Sequence, residues 1–307
     1  MATDATAIGL DAIARDDGTF AIVAMDQRNT LRRMLTAVDR PTDEAFMRDF
    51  KRDVAGPLFA SASGILLDPD LGVPGIEGLD REGCGVLVAA EPADKASYQD
   101  EPRAYRQPEL DAAWVRDQGG DALKFLVQLR ADRPRGEGPD LVAEVVEVVE
   151  AIVADCDAAG VPSVVENLIY RLPGEDELSE SARADAIIVA AEALDRLGCD
   201  LLKLEYPGSP EACRRLADRL TTPWAVLSAG VSFDRFQDVL RISCDEGGAS
   251  GFIAGRAIWK DAVELDGEER RRFLDTTGRA RLEGCIEAID GRARPWRQAD
   301  SRPSRTV

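Results

Sequence analysis

Histidine is absent from the 307-residue chain. That removes His-ligated zinc, an imidazole general base and any Ser–His or Cys–His nucleophile pair. Acid–base work must fall to Asp, Glu, Tyr or Lys. Lysine is scarce too. There are five, at positions 51, 95, 124, 203 and 260, so the 38 basic residues are mostly Arg. Against them stand 57 acidic residues, and the formal charge is −19. Such a field repels nucleic acid and anionic membranes and makes both poor partners. An anionic small molecule would need a local cluster of Arg or main-chain N–H groups. The six cysteines, at 84, 156, 199, 213, 244 and 285, form no CxxC pair and read as small buried hydrophobes in a reducing cytosol. No apolar run approaches the roughly 20 residues of a membrane span. Met1–Asp11 carries acidic residues and no basic region, unlike a signal peptide, so a cytoplasmic location is expected.

What is present is a regular alternation. Eight short apolar runs recur: 20–25, 64–67, 85–89, 122–129, 162–167, 201–205, 224–228 and 250–254. Each has strand length, branched residues and a Gly, Pro or Asp boundary. Their continuous apolar character predicts strands buried on both faces. Amphipathic segments lie between them, clearest at 141–158, with others at 43–58, 181–197 and 210–220. Eight such units in about 250 residues predict a single (β/α)8 barrel over residues 1–290. A doubly wound open sheet is the runner-up. It would want a glycine-rich turn after the first strand, where Met25-Asp-Gln-Arg28 stands instead. Residues 291–307 are polar and are expected to fray.

In a barrel, function sits at the C-terminal strand ends. Polar groups stand at every one of them: Asp26, Gln27 and Arg28; Asp68; Glu91; Lys124; Glu166 and Asn167; Lys203 with Glu205; Ser228 and Gly230; Gly255 and Arg256. Lys124 and Lys203 interrupt apolar strands. Either lysine can be read as an edge residue snorkelling to water. Side-chain alternation offers a second reading, with Lys203 and Glu205 inward and Leu202 and Leu204 toward the helices. Two inward lysines in one cavity would lower each other's pKa and yield a neutral amine that attacks a carbonyl. The resulting Schiff base is an electron sink for C–C cleavage, with Glu166 placed to move protons. Ser228, Gly230, Gly255 and Arg256 suit a phosphate, although a glycine turn and a surface ion pair would explain them separately.

These motifs resemble the class I aldolases of the tagatose-1,6-bisphosphate aldolase type and their sulfofructose-phosphate relatives. The matching segments are Ala24-Met-Asp-Gln-Arg28, Leu66-Leu-Asp-Pro69, Gly119-Gly-Asp-Ala-Leu-Lys-Phe-Leu126, Val165-Glu166, Asp200-Leu-Leu-Lys-Leu-Glu-Tyr-Pro207, Pro223 to Val231 and Gly248 to Trp259. The resemblance implies Lys203 as the Schiff-base lysine, Lys124 as its cationic partner and Glu166 as the proton-transfer carboxylate. Asp26 supports the C4-hydroxyl step, and Ser228, Gly230, Gly255 and Arg256 hold the C1 phosphate. Gln27, Arg28 and Asp68 line the mouth, and Arg28 or Arg130 meets a distal phosphate or sulfonate. The implied reaction is metal-independent and cofactor-free: a six-carbon ketose 1-phosphate gives dihydroxyacetone phosphate and a three-carbon aldehyde. A transaldolase or aldol-synthase outcome, or a non-catalytic sugar-phosphate sensor, is the alternative. Compactness and the stretch Gln128–Asp132 lean toward the sulfosugar branch. Asn167 departs from the family's Pro. Barrels of this type often self-associate, so a homo-oligomer is expected.

Overall fold

A computed structural model describes residues 8–81, 83–134, 136 and 138–299. Its strands are β1 (Phe20–Met25), β2 (Gly64–Leu67), β3 (Gly85–Ala89), β4 (Ala96–Tyr98), β5 (Glu101–Arg103), β6 (Ala122–Val127), β7 (Ser163–Asn167), β8 (Leu201–Leu204), β9 (Trp224–Val226) and β10 (Gly251–Ala254). Eight of them close into a parallel barrel in the order β1-β10-β9-β8-β7-β6-β3-β2. The (β/α)8 expectation is met, and all eight expected strands are present within two residues at either end. The remaining pair, β4 and β5, is an antiparallel hairpin after β3. Its turn residues Gln99 and Asp100 both take positive φ, 50° and 68°, the geometry that matches strand twist in a two-residue loop.

Alternation sorts the barrel side chains into two cores. Ala21, Val23, Leu123, Phe125, Leu202 and Leu204 point outward and pack beneath the helices. Ile22, Ala24, Ala89, Val164, Leu201 and Ala225 point inward, and Leu10 and Ile13 close the bottom. Among the inward residues, Ala24, Ala89 and Ala225 are small. Their missing volume leaves room at the top for the long side chains of Lys124 and Lys203.

The helices begin where capping residues dictate. Asp43, Asp140, Ser179, Ser209 and Ser232 each accept a main-chain N–H of the first turn, a contact worth about 1 kcal/mol apiece. Helix Leu141–Ala159 buries Leu141, Val145, Val149, Ile152 and Cys156, one stripe of a 3.6-residue period. The segment expected to fray does not do so as far as Ala299. Trp296 N–H donates to Gly18 O at 2.9 Å, Arg294 N–H donates to Ala249 O at 3.0 Å, and Ala299 is buried. Residues 300–307 lie outside the described residues.

Candidate active site

The register fixes the site. Glu166 on β7 is the lateral neighbour of Lys203 on β8, and Lys124 on β6 has the same inward parity. Lys203 Nζ lies 2.9 Å from Glu166 Oε2, and Lys124 Nζ lies 2.8 Å from the same oxygen. Lys124 also reaches Asp26 Oδ2 at 3.0 Å and Glu91 Oε1 at 2.7 Å. One ammonium, 1% exposed, therefore sits among three carboxylates. They converge as metal ligands do, but each turns an oxygen to Lys124, so the cation position among them is already filled.

Burial alone would push Lys124 down. Asp26, Glu166 and Glu91 outweigh it and hold the ammonium well above its usual value. This corrects the expectation that two inward lysines depress each other: Lys124 is a fixed cation. Burial would likewise raise Asp26, yet Lys124 and Lys203 hold it below the ordinary carboxylate range. Glu166 is lowered in the same way, against both its burial and the Asp26 charge. Both carboxylates are ionised at neutral pH.

A cavity of about 290 Å³ opens above this cluster, and its wall includes Gln27, Gln128, Glu166, Lys203, Ser228 and Arg256. Lys124 and Asp26 stand behind that wall, joined to it through Glu166. Two buried acceptors lack a donor, Asp26 Oδ1 and Gln27 Oε1. The opposite side is built from main chain. Gly255 is pressed so close to β1 that a Cβ there would lie 2.2 Å from Ala24 O. Gly230 has φ +85°, and a Cβ would meet the Arg256 guanidinium at 3.1 Å. Among the described residues, the Arg256 guanidinium takes no protein acceptor, and neither do the main-chain N–H groups of Gly230 and Gly255. A fork of free donors beside free N–H groups is a receptor for a phosphate-sized anion.

Two expected site residues are otherwise engaged. Asp68 is fully enclosed, pairs with Lys51 at 2.5 Å and accepts from Leu71 and Gly72 N–H. It has no exposed surface with which to meet a substrate. Arg130 is 2% exposed and spends its guanidinium on Asp132, Glu175 and Tyr170 O, at 2.8 to 3.1 Å. That network corrects its role as a reader of the distal acid group. Arg28 is partly committed, to Asp70 at 3.1 Å and Glu91 O at 2.7 Å. Asn167, where the resembled family has Pro, ties its amide to both main-chain groups of Leu129. Sequence reasoning left Glu91 and Lys51 out. Glu91 ends a strand, as the chosen residues do. Lys51 interrupts the apolar stripe Met47, Phe50, Val54, Leu58 of a helix, which was the available signal.

Residues 20–261 match the model of the DeoC/LacD family aldolases, and the chain belongs to that family. It is an aldolase, a carbon–carbon lyase. A tagatose 1,6-diphosphate aldolase of Listeria monocytogenes is 30% identical over 94% of this chain and 92% of its own length. One from Lactococcus lactis subsp. lactis is 29% identical over 94% and 96%. Among solved structures, an archaeal fructose 1,6-bisphosphate aldolase superposes with a TM-score of 0.63 at 18% identity, covering 91% of this chain and 98% of its own. At that identity the likeness speaks for the fold.

Proposed function

We propose that this aldolase works through a Schiff base on Lys203 and cleaves a six-carbon ketose 1-phosphate bearing a second acid group at C6. The observation that carries the reading is the pair of lysine nitrogens on one oxygen of Glu166. Only one of them, Lys203, lies on the cavity wall, and the other is a fixed cation. Glu166 is positioned to take the proton that Lys203 must lose, and Lys124 keeps that carboxylate ionised beforehand. Lys203 Nζ attacks the C2 carbonyl, and loss of water leaves an iminium. Glu166, which has spent its first proton on the departing water, receives the C4 hydroxyl proton by way of Asp26, whose Oδ1 has no donor of its own. The C3–C4 electron pair passes to the iminium and the aldehyde departs. Glu166 returns a proton to C3 of the enamine, and hydrolysis frees dihydroxyacetone phosphate and Lys203. Arg256 with the Ser228, Gly230 and Gly255 main chain anchors the C1 phosphate.

The names of the relatives favour tagatose 1,6-bisphosphate as the first substrate to assay. The lean toward a C6 sulfonate loses a support, because Arg130 is consumed in ion pairs. Arg28 remains as the distal cation. No step calls on a metal, so EDTA is expected to leave the rate unchanged. This reading includes a homo-oligomer in the cytoplasm; among the described residues, no helix is long and apolar enough to cross a membrane. The test is borohydride reduction with dihydroxyacetone phosphate, followed by peptide mass spectrometry. An adduct on Lys203, and loss of kcat by about a thousandfold or more in Lys203→Ala, is the expected result. Activity retained in that variant would end the proposal.

A further inference from the structure

Lys51 lies outside the cavity, on helix Glu44–Leu58 behind β1, and is 0% exposed. Its ammonium donates to Met25 O at 2.7 Å and to Gln27 O at 2.9 Å, and pairs with Asp68 Oδ1 at 2.5 Å. Three acceptors use all three N–H bonds of the group. Asp68 is braced in turn by the N–H groups of Leu71 and Gly72. The two carbonyls that Lys51 holds belong to the residues immediately before and after Asp26. The main chain that presents Asp26 to Lys124 is thus gripped on both sides by one buried cation.

A stability role explains this poorly. Apolar residues surround the position on its own helix, and replacing a buried ion pair by packed hydrophobic side chains is commonly neutral or stabilising. We propose that Lys51, through its bonds to the carbonyls on either side of Asp26, is a positioning residue for the aldol step. It fixes the backbone at Asp26 so that Oδ2 stays on Lys124 while Oδ1, buried just behind the cavity wall, is left without a donor. The inference rests on the Schiff-base reading. The charged groups acting on Asp26 are Lys124 from β6, Lys203 from β8, Glu166 from β7 and Lys51 from behind. Burial pulls the Lys51 ammonium down, and the charges of Asp68 and Asp26 oppose that pull.

The experiment compares Asp68→Asn and the charge-neutral pair Lys51→Met/Asp68→Asn, each in the parent and in an Asp26→Asn background. Asp68→Asn keeps Lys51 on its two carbonyls and should leave kcat within about threefold, whereas the pair should lower kcat by about tenfold or more with KM nearly unchanged. Added to Asp26→Asn, the pair should cost less than about threefold more, because both act through one carboxylate. Borohydride trapping on Lys203 should persist in every variant and shows that the barrel is folded. Equal, additive losses in both backgrounds would mean a generic structural role and overturn the inference, as would a tenfold loss in Asp68→Asn alone. Absence of trapping in the parent protein would instead strike the Schiff-base reading itself.

Discussion

Replacing Lys124 by Met isolates the electrostatic logic of the site. Met approximates the lysine stem and removes only the ammonium. Three carboxylate oxygens, at 3.0, 2.7 and 2.8 Å from that nitrogen, then face one another. Their side chains are 9%, 12% and 9% exposed, so water relieves them little. Stranding one member of a buried pair costs about 3–5 kcal/mol, and a loss of that size is expected at pH 8. It should then shrink with acid. In the parent, Asp26 and Glu166 sit below their ordinary values, so their contribution is fully present above the unfolded carboxylate range. In the variant, burial and mutual repulsion raise the cluster, and the native state takes up a proton that the unfolded chain does not. Variant stability should therefore climb by about 1.4 kcal/mol per pH unit for each such proton as pH falls. Urea unfolding of both proteins at pH 8, 7, 6 and 5 measures this difference. Arg241→Gln breaks only the exposed pair with Asp238 and serves as the control, within about 0.5 kcal/mol at every pH. A Lys124→Met penalty under about 1 kcal/mol, or one that does not change between pH 8 and 5, would refute the reading of Lys124 as the cation that holds this cluster together.

Arg130→Met should cost about 2 kcal/mol in urea unfolding by breaking charged hydrogen bonds, yet change KM for phosphate- and sulfonate-terminated substrates by the same factor; a selective change would restore Arg130 as a reader of the acid group. Glu175, which Arg130 holds down to about 2, should contribute stability that is full above the ordinary carboxylate range and lost progressively as pH falls from there to about 2, a decline that urea unfolding should show and that Arg130→Met should largely remove. Gly230→Ala places a methyl at φ +85° against Arg256, and should raise KM for dihydroxyacetone phosphate more than it lowers kcat. The six buried cysteines, four of them pushed up to about 12 by burial and all raised, should react with a disulfide reagent at pH 8 only after unfolding.

The barrel was legible because its strands are short, apolar on both faces and punctuated at each end. Alternation along β6 and β8 offered an inward reading of Lys124 and Lys203, with Glu166 on the strand between them. Partnership was not legible. Asp68, like Asp26, follows a barrel strand, but only the packing of helix Glu44–Leu58 delivers Lys51 to it. Arg130 looked free because its acceptors, Asp132 and Glu175, come from two loops, one of them 45 residues away. The sign of the Lys124 shift depended on three carboxylates converging, Asp26 and Glu166 ahead of Glu91, whose following segment matched the family only weakly. The hydrogen bonds of residues 291–299 were hidden for a related reason: a polar composition masked Trp296, whose N–H donates to Gly18 O.

The excess of negative charge around Lys124 has a consequence for the reaction. Asp26, Glu91 and Glu166 gather three largely buried carboxylates around the Lys124 ammonium. In the proposed Schiff-base mechanism, an iminium on Lys203 would carry its positive charge beside Glu166 Oε2, where this cluster favours it. The C1 phosphate would oppose that arrangement if it lay nearby. In the proposed binding mode it lies instead against Arg256 and the main chain that follows β9 and β10, where, among the described residues, no carboxylate is paired with the guanidinium. In a chain of net charge −19, this separation would let one cavity take a dianion at one end and carry the proposed cation at the other.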